Sequence, residues 1–144
     1  MKNKSDLKFI RDEVYKRHFW FGYGDLSGKK GLLRKILGES EESVESFLAH
    51  IATVSGTHYF EMIGHSRLVI LWVKNPKNIP AIAHELTHLI HEGFLYLNIP
   101  MSEDNSEPLA YYMESCFAKC LDVINKPKNA KPNVQKKSSK SKNV

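Results

Sequence analysis

The chain has 144 residues, which is enough for one domain of ordinary size and not for two. Hydrophobic residues make up 42% and charged residues 26%, and this composition excludes a wholly disordered chain and a collagen-like repeat. No segment approaches the roughly 18 uncharged apolar residues of a membrane helix, and the first residues show no apolar signal-peptide core. We therefore expect a cytoplasmic protein that makes no membrane contact.

The net charge of +5 is concentrated at the C-terminus. Residues 125–144 contain seven lysines and no acidic residue, whereas residues 1–124 contain 14 basic and 16 acidic residues. The lysine-rich segment has almost no apolar side chain to bury, so it cannot offset its own ordering entropy. We predict one folded domain at 1–124 and a disordered tail at 125–144. A solubilising role is favoured because no aromatic residue interleaves the lysines; contact with nucleic acid through the tail is the alternative.

The first predicted element is a helix over residues 6–17, where Leu7, Ile10 and Val14 recur at helical spacing. The aromatic and glycine-rich segment that follows, 18–31, invites comparison with a phosphate-binding P-loop. It lacks the first glycine and the Ser or Thr that a P-loop requires. We therefore predict that this segment is a structural loop.

A second helix and a β-hairpin are predicted next in the chain. Ser40 is the expected N-cap of the helix, because two glutamates and an apolar stripe follow it. Residues 58–63 and 66–73 predict the two strands of the hairpin, joined by a turn at Gly64-His65. The second strand is apolar at every position after its first two residues, so we expect it to be covered on both faces.

The segment from Ile79 to Gly93 predicts a helix with two different faces. Pro80 suits a first helical turn, and Gly93 suits a position just past a helix end. At roughly 100° per residue, His84 and His88 fall on one side of the helix. The apolar residues cluster on the opposite side: Ile79, Ile82, Ala83, Leu86, Leu89 and Ile90.

Residues 84–88, His-Glu-Leu-Thr-His, match the H-E-x-x-H pattern. Histidines at i and i+4 project from adjacent turns, so the imidazoles of His84 and His88 can both reach one Zn²⁺ at roughly 2.0–2.1 Å. Glu85 stands beside the first histidine and is the expected general base toward a metal-activated water. His91 lies two turns from His84, roughly 10.5 Å along the axis, and is expected to support the site rather than to bind the ion.

A catalytic zinc usually takes a third protein ligand and leaves one position open for water. A last helix is predicted from about Ser106 to Ile124, with Glu107, Tyr111 and Glu114 on its polar side. Glu107 and Glu114 are two turns apart, roughly 10.5 Å, so they cannot both bind one ion. We select Glu107, in the first turn, as the third ligand. The other downstream candidates are Glu103, Asp104 and Glu114.

The two cysteines belong to the same last helix. Cys116 and Cys120 stand four residues apart and both fall in its apolar stripe. We expect them to be buried as small hydrophobic residues rather than to bind a metal or form a disulfide.

The histidine segment, followed 19 residues later by Glu107, resembles the gluzincins, the HExxH metallopeptidases whose third ligand is a glutamate on a following helix. Residues 107–114, Glu-Pro-Leu-Ala-Tyr-Tyr-Met-Glu, are similar to the E-x-x-A-Y pattern of small phage- or prophage-associated metallopeptidases. The resemblance covers about 84–114. It implies an α+β, zincin-like minimal fold with a small antiparallel sheet or hairpin packed on the HExxH helix and a C-terminal glutamate-bearing helix. It also implies hydrolysis of a peptide or protein substrate by a zinc enzyme whose ligands are His84, His88 and Glu107.

One departure from the larger gluzincins concerns the substrate cleft. Those enzymes continue into a second lobe that often supplies a transition-state histidine, and only about 20 residues of the folded part follow Glu107 here. The cleft is then shallow or is completed by a protein partner. Tyr111, which shares the face of Glu107, is the favoured catalytic candidate for oxyanion stabilisation. The remaining candidates are Tyr112, His65 and Arg67.

Two other functions stay open on the sequence. One is a non-catalytic domain that is stabilised by zinc and binds another protein. The other is a DNA-associated regulatory protein that uses the basic tail. Glu92 is expected to be solvated, and His58 shows no recognisable partner spacing.

Overall fold

The computed structural model describes residues 4–38, 40–63 and 66–126, which form an α+β fold with a four-stranded sheet. The strands are β1 (Asp6–Ile10), β2 (Phe19–Tyr23), β3 (Gly56–Ile63) and β4 (Ser66–Val73). The helices are α1 (Lys30–Ile36), α2 (Glu41–Thr53), α3 (Ile79–Tyr96) and α4 (Ser106–Asn125). Single 3₁₀ turns, Ser27–Lys29 and Glu103–Asn105, lead into α1 and α4. None of the helices in these ranges is both long and apolar enough to cross a membrane.

The α+β class is confirmed, but the sheet is mixed rather than antiparallel. Its strand order is β1-β2-β4-β3. The pairs β1–β2 and β3–β4 are antiparallel, whereas β2 and β4 are parallel. The parallel pair arises because the chain crosses over through α1, α2 and β3 before β4 returns beside β2. The predicted hairpin is present as β3 and β4, and its turn at Gly64-His65 lies outside the described residues.

The N-terminal predictions were wrong in two places. Residues 6–10 form strand β1, not the start of a helix over 6–17. Leu7 packs on one side of the sheet and Ile10 on the other, so a spacing of three also fits a strand that is covered on both faces. The segment predicted as a loop contains β2, four of whose five residues are buried. Val14 is 60% exposed and belongs to neither core.

The sheet separates two hydrophobic cores, as the apolar pattern of β4 predicts. Val69, Leu71 and Val73 pack in the core beneath α3 and α4. The alternate residues, Leu68, Ile70 and Trp72, pack in the core beneath α1 and α2. Cys116 and Cys120 are buried in the first of these cores, and burial raises the pKa of the Cys116 thiol to about 11. The prediction that both cysteines are buried is confirmed.

Three of the predicted helices are present with small changes at their ends. The Ser40 hydroxyl accepts a hydrogen bond from the Ser43 N–H at 3.3 Å, which confirms the N-cap of α2. Helix α3 continues three residues past Gly93, which was predicted to end it. Gly93 is buried inside the helix and does not end it, and a Cβ there would meet the Arg17 side chain at 3.5 Å, which is an ordinary contact distance. Helix α4 extends to Asn125, and most of the predicted tail, residues 127–144, lies outside the described residues.

Asp12 joins the β1–β2 connection to α4. Its carboxylate is 2% exposed and accepts hydrogen bonds from the backbone N–H groups of Val14, Tyr15 and Arg17. The Tyr112 hydroxyl donates to the same carboxylate at 2.9 Å, and burial raises the pKa of Tyr112. The Tyr112 hydroxyl is therefore used in a structural hydrogen bond. Tyr112 is no longer a candidate for oxyanion stabilisation.

We predict that Tyr112→Phe lowers the free energy of unfolding by about 1.5–3 kcal/mol, because it deletes a hydrogen bond to a buried carboxylate. Urea denaturation measures the change. The matched control is Tyr111→Phe, since Tyr111 is 67% exposed. The control should change stability by less than about 0.5 kcal/mol. Equal effects of the two substitutions would contradict the assigned contact.

Candidate functional site

His84 and His88 converge on the exposed face of α3. Their Nε2 atoms lie 3.2 Å apart, and their rings are nearly perpendicular, with centroids 4.9 Å apart. Both side chains are exposed, while the opposite face of α3 is buried, as predicted. The helix therefore presents two imidazole nitrogens to one point in solvent from a rigid backbone.

The spacing of these nitrogens fits a shared metal ion. Two nitrogens bound to one tetrahedral Zn²⁺ at roughly 2.0–2.1 Å lie about 3.3 Å apart. The observed distance between His84 Nε2 and His88 Nε2 is 3.2 Å. Imidazole nitrogen is also a ligand that zinc and several other divalent metals accept. The distance between these two nitrogens is therefore compatible with one shared ion.

The Glu85 carboxylate lies in the contact between α3 and β3, next in sequence to His84. The residue is 8% exposed, and its carboxylate packs against Gly56, the first residue of β3. A Cβ at Gly56 would lie 2.9 Å from Glu85 Oε1, so a larger residue there would displace the carboxylate. Burial raises the pKa of Glu85, and the charges of His84 and His88 act in the opposite direction. A raised pKa makes the Glu85 carboxylate a stronger base than a solvated glutamate.

Glu107 is exposed on the first turn of α4. Within residues 4–38, 40–63 and 66–126, no three His, Cys, Asp or Glu side chains form a group able to hold a metal ion. The structure thus brings together His84 and His88 but does not bring Glu107 to them. The same holds for the other downstream candidates, Glu103, Asp104 and Glu114, all of which are exposed.

A charged cluster lies beside the histidine pair, and the sequence did not predict it. His58 Nε2 on β3 and Arg67 Nη2 on β4 are both 2.8 Å from Glu92 Oε2 on α3. The His58 ring stacks on the His88 ring, with centroids 6.3 Å apart and planes inclined by 21°. Glu92 is therefore not solvated as expected but is part of a His58–Glu92–Arg67 cluster.

The cluster is held by proximity and charge rather than by aligned hydrogen bonds. The side chains of His58, Arg67 and Glu92 are 13%, 14% and 30% exposed. In the described part of the chain, their contacting atoms are buried and none has a partner with hydrogen-bond geometry. Burial lowers the pKa of His58, Glu92 opposes that change, and His88 adds to it.

A sequence signal for the cluster exists in the pattern of β3 and α3. Glu92 follows His88 by one helical turn, which places both on one face. Tyr59 packs with the core beneath α1 and α2, so its neighbour His58 must face α3. Arg67 lies beside Phe60, with its guanidinium carbon 5.4 Å from the ring centroid. The sequence does not show where α3 lies relative to β3 on the face of the sheet.

No protein-family model, curated protein or solved structure matches this chain. The interpretation of the site therefore rests on its own geometry and on the motif at residues 84–114.

We predict that Glu85→Gln raises the free energy of unfolding of the metal-free protein at pH 7. The pKa of Glu85 is raised in the folded state, so folding favours the protonated carboxyl. The wild-type protein should lose this part of its stability as the pH rises above the ordinary Glu pKa of 4.5, and the variant should not. Urea denaturation in EDTA across this pH range measures both effects.

The control is Glu114→Gln on the exposed side of α4, which should change stability by less than about 0.5 kcal/mol. A loss of stability in Glu85→Gln, with no effect of the control, would show that the carboxylate supports the fold.

Proposed function

We propose that the chain is a zinc-dependent peptidase with a zincin-like arrangement of its HExxH helix. The 3.2 Å separation of His84 Nε2 and His88 Nε2 carries this proposal, because the spacing matches two ligands of one ion. The buried carboxylate of Glu85, next to the pair in sequence, supports a hydrolytic role rather than simple metal storage. Structural metal sites, by comparison, have closed coordination and are enclosed by the fold they stabilise.

A zinc ion held by His84 and His88 would supply a Lewis acid that polarises a scissile carbonyl and makes water nucleophilic near neutral pH. Glu85 takes the proton of the attacking water on a carboxylate oxygen and delivers it to the leaving amine. The packing of Glu85 against Gly56 fixes the carboxylate beside the first residue of β3. Its raised pKa suits a group that must both accept and donate a proton.

The His58–Glu92–Arg67 cluster positions the second histidine. The His58 ring lies against the His88 ring and is itself held near Glu92. Arg67 was an oxyanion candidate, but its guanidinium is engaged with Glu92 and largely buried. The cluster therefore acts through His88 and keeps the imidazole oriented toward His84.

Two further roles are assigned to α4. Glu107 is the proposed third ligand, and its carboxylate has to approach the histidine pair more closely than in the described structure. Tyr111 stays the proposed oxyanion-stabilising group, because it is 67% exposed and lies one turn after Glu107. The connection between α3 and α4, where Leu97 and Met101 are exposed, is the segment that would have to shift.

The competing function is a non-catalytic domain in which zinc stabilises the fold and the surface binds another protein. The burial pattern disfavours it, because His84 and His88 are exposed and α3 is already anchored by its apolar face. In that case Glu85→Gln would leave the function unchanged.

The test is hydrolysis of a fluorogenic peptide library by the zinc-loaded full chain. Glu85→Gln should reduce the rate by about 10²–10⁴-fold, the usual contribution of a general base. His91→Gln is the control: the sequence predicted a supporting role for His91, but in the described residues it is exposed and no described hydrogen bond or ion pair joins it to His84, Glu85 or His88. We expect the control to stay within about threefold of the parent, because surface substitutions away from a site have small effects. Activity that survives Glu85→Gln, or that falls equally in the control, would contradict the mechanism.

A further inference from the structure

A basic cleft lies between β1 and the C-terminal end of α4. Its volume is about 710 Å³, and 13 residues line it. Two of these residues are acidic, Asp6 and Asp122. Six are basic: Lys4, Lys8, Arg11, Lys29, Lys119 and Lys126.

The charge of the folded part is segregated toward this cleft. Residues 1–124 contain 14 basic and 16 acidic residues. Five of these basic residues line the cleft, but only two of the acidic ones do. The remainder of that range therefore carries nine basic and 14 acidic residues, a balance of −5. A concave surface lined by one sign of charge raises the local concentration of ligands of the opposite sign.

Two of the cations connect the walls of the cleft, and neither forms an ion pair with another of the residues that the structure describes. Lys119 Nζ donates to the backbone carbonyl of Arg11 at 2.6 Å, and Lys4 Nζ donates to that of Ile124 at 2.9 Å. A carbonyl carries no formal charge, so both ammonium charges remain available to an anion. Lys29 Nζ and Lys8 Nζ lie 3.2 Å and 3.9 Å from Asp6, so two of the cleft lysines share this one carboxylate.

An aromatic cluster lies on the other face of the same edge strand, because Phe9 alternates with Lys8 and Ile10 and pairs with Trp20, which packs against the core beneath α1 and α2. Phe9 lines the cleft and is 47% exposed. Its ring centroid is 5.3 Å from that of Trp20 and 5.6 Å from that of His18. In the part of the chain that the structure describes, β1 pairs with β2 alone, so the outer edge of β1 is open.

We propose that this cleft binds single-stranded nucleic acid, with phosphates along the lysines and arginine beside α4 and a base that reaches over the open edge of β1 to Phe9 on its other face. Positive grooves next to exposed aromatic rings are the usual means of binding single strands without sequence preference. An acidic peptide would satisfy the charges but would leave the aromatic cluster without a role. The six further lysines in residues 127–144 follow the cleft residue Lys126 directly in sequence. The cleft lies at the β1 edge of the sheet, whereas His58 lies on β3 at the opposite edge and Glu85 packs against that strand, so the proposal is independent of the peptidase.

The experiment is fluorescence anisotropy of a labelled 12-nucleotide oligo(dT) with the full chain, between 50 and 200 mM salt. The test variant is Lys8→Glu/Arg11→Glu, and the control is Lys35→Glu/Lys77→Glu, which makes the same charge change at exposed residues outside the cleft. The lysines of residues 127–144 are present in both proteins. We expect the cleft variant to weaken binding at least tenfold more than the control and to lower the salt slope by about 2.

Phe9→Ala leaves the charges unchanged and should weaken binding about tenfold, through loss of stacking. Thermal melts of every variant check that the fold is intact, and Lys8→Gln/Arg11→Gln replaces any charge-reversed variant that fails to fold. Equal weakening by the two double variants would overturn the proposal in favour of diffuse charge attraction. Tighter binding of a labelled poly-glutamate peptide than of oligo(dT) would assign the cleft to acidic peptides, and no binding of either at 50 mM salt would remove it as an anion site.

Discussion

The packing of α3 on the edge strand β3 is the constraint on which the candidate site depends. Gly56 makes room for the Glu85 side chain in this contact, because a Cβ there would stand 2.9 Å from Glu85 Oε1. Two turns further along α3, Glu92 meets His58 and Arg67 at 2.8 Å. These two contacts fix how α3 lies over the sheet, and the His84–His88 pair is oriented as a result.

The apolar face of α3 makes that orientation stable. Ile82, Leu86, Leu89 and Ile90 are at most 4% exposed. Each fully buried side chain of this size contributes about 1.5–3 kcal/mol. Glu85 and the charged cluster oppose folding, since buried charged groups lose hydration. The apolar face of α3 therefore binds the helix to the sheet strongly enough to offset the unfavourable burial of these polar groups.

Periodicity was enough to predict the C-terminal half of the fold. Helices α3 and α4 each have an apolar pattern of one clear period, strand β4 is a continuous apolar run, and His84 and His88 fall on the exposed face of α3 as expected. Strands β1 and β2 could not be found in this way, because both faces of each are covered and their spacing also fits a helix or an aromatic loop. Each of these strands is recognisable only from the strands that pair with it: β1 pairs with β2, and β2 also pairs with β4.

The site could be predicted only where it is local in sequence. His84, Glu85 and His88 occupy one turn of a helix, so their spacing fixes their arrangement. His58 and Glu92 are 34 residues apart, and their contact depends on how α3 is placed against β3. The position of Glu107 depends in turn on the connection between α3 and α4, whose path no local pattern determines.

The central claim is that His84 and His88 hold one zinc ion, and metal content tests it most directly. Elemental analysis of the full chain, purified without added metal and then dialysed against zinc, should give about one zinc per chain. His88→Ala should lose the ion, and His91→Gln should keep it. Loss in Glu107→Ala would add the third ligand, whereas retention would move that ligand elsewhere. A parent protein that takes up no zinc would contradict the account and make the histidine pair a feature of the surface alone.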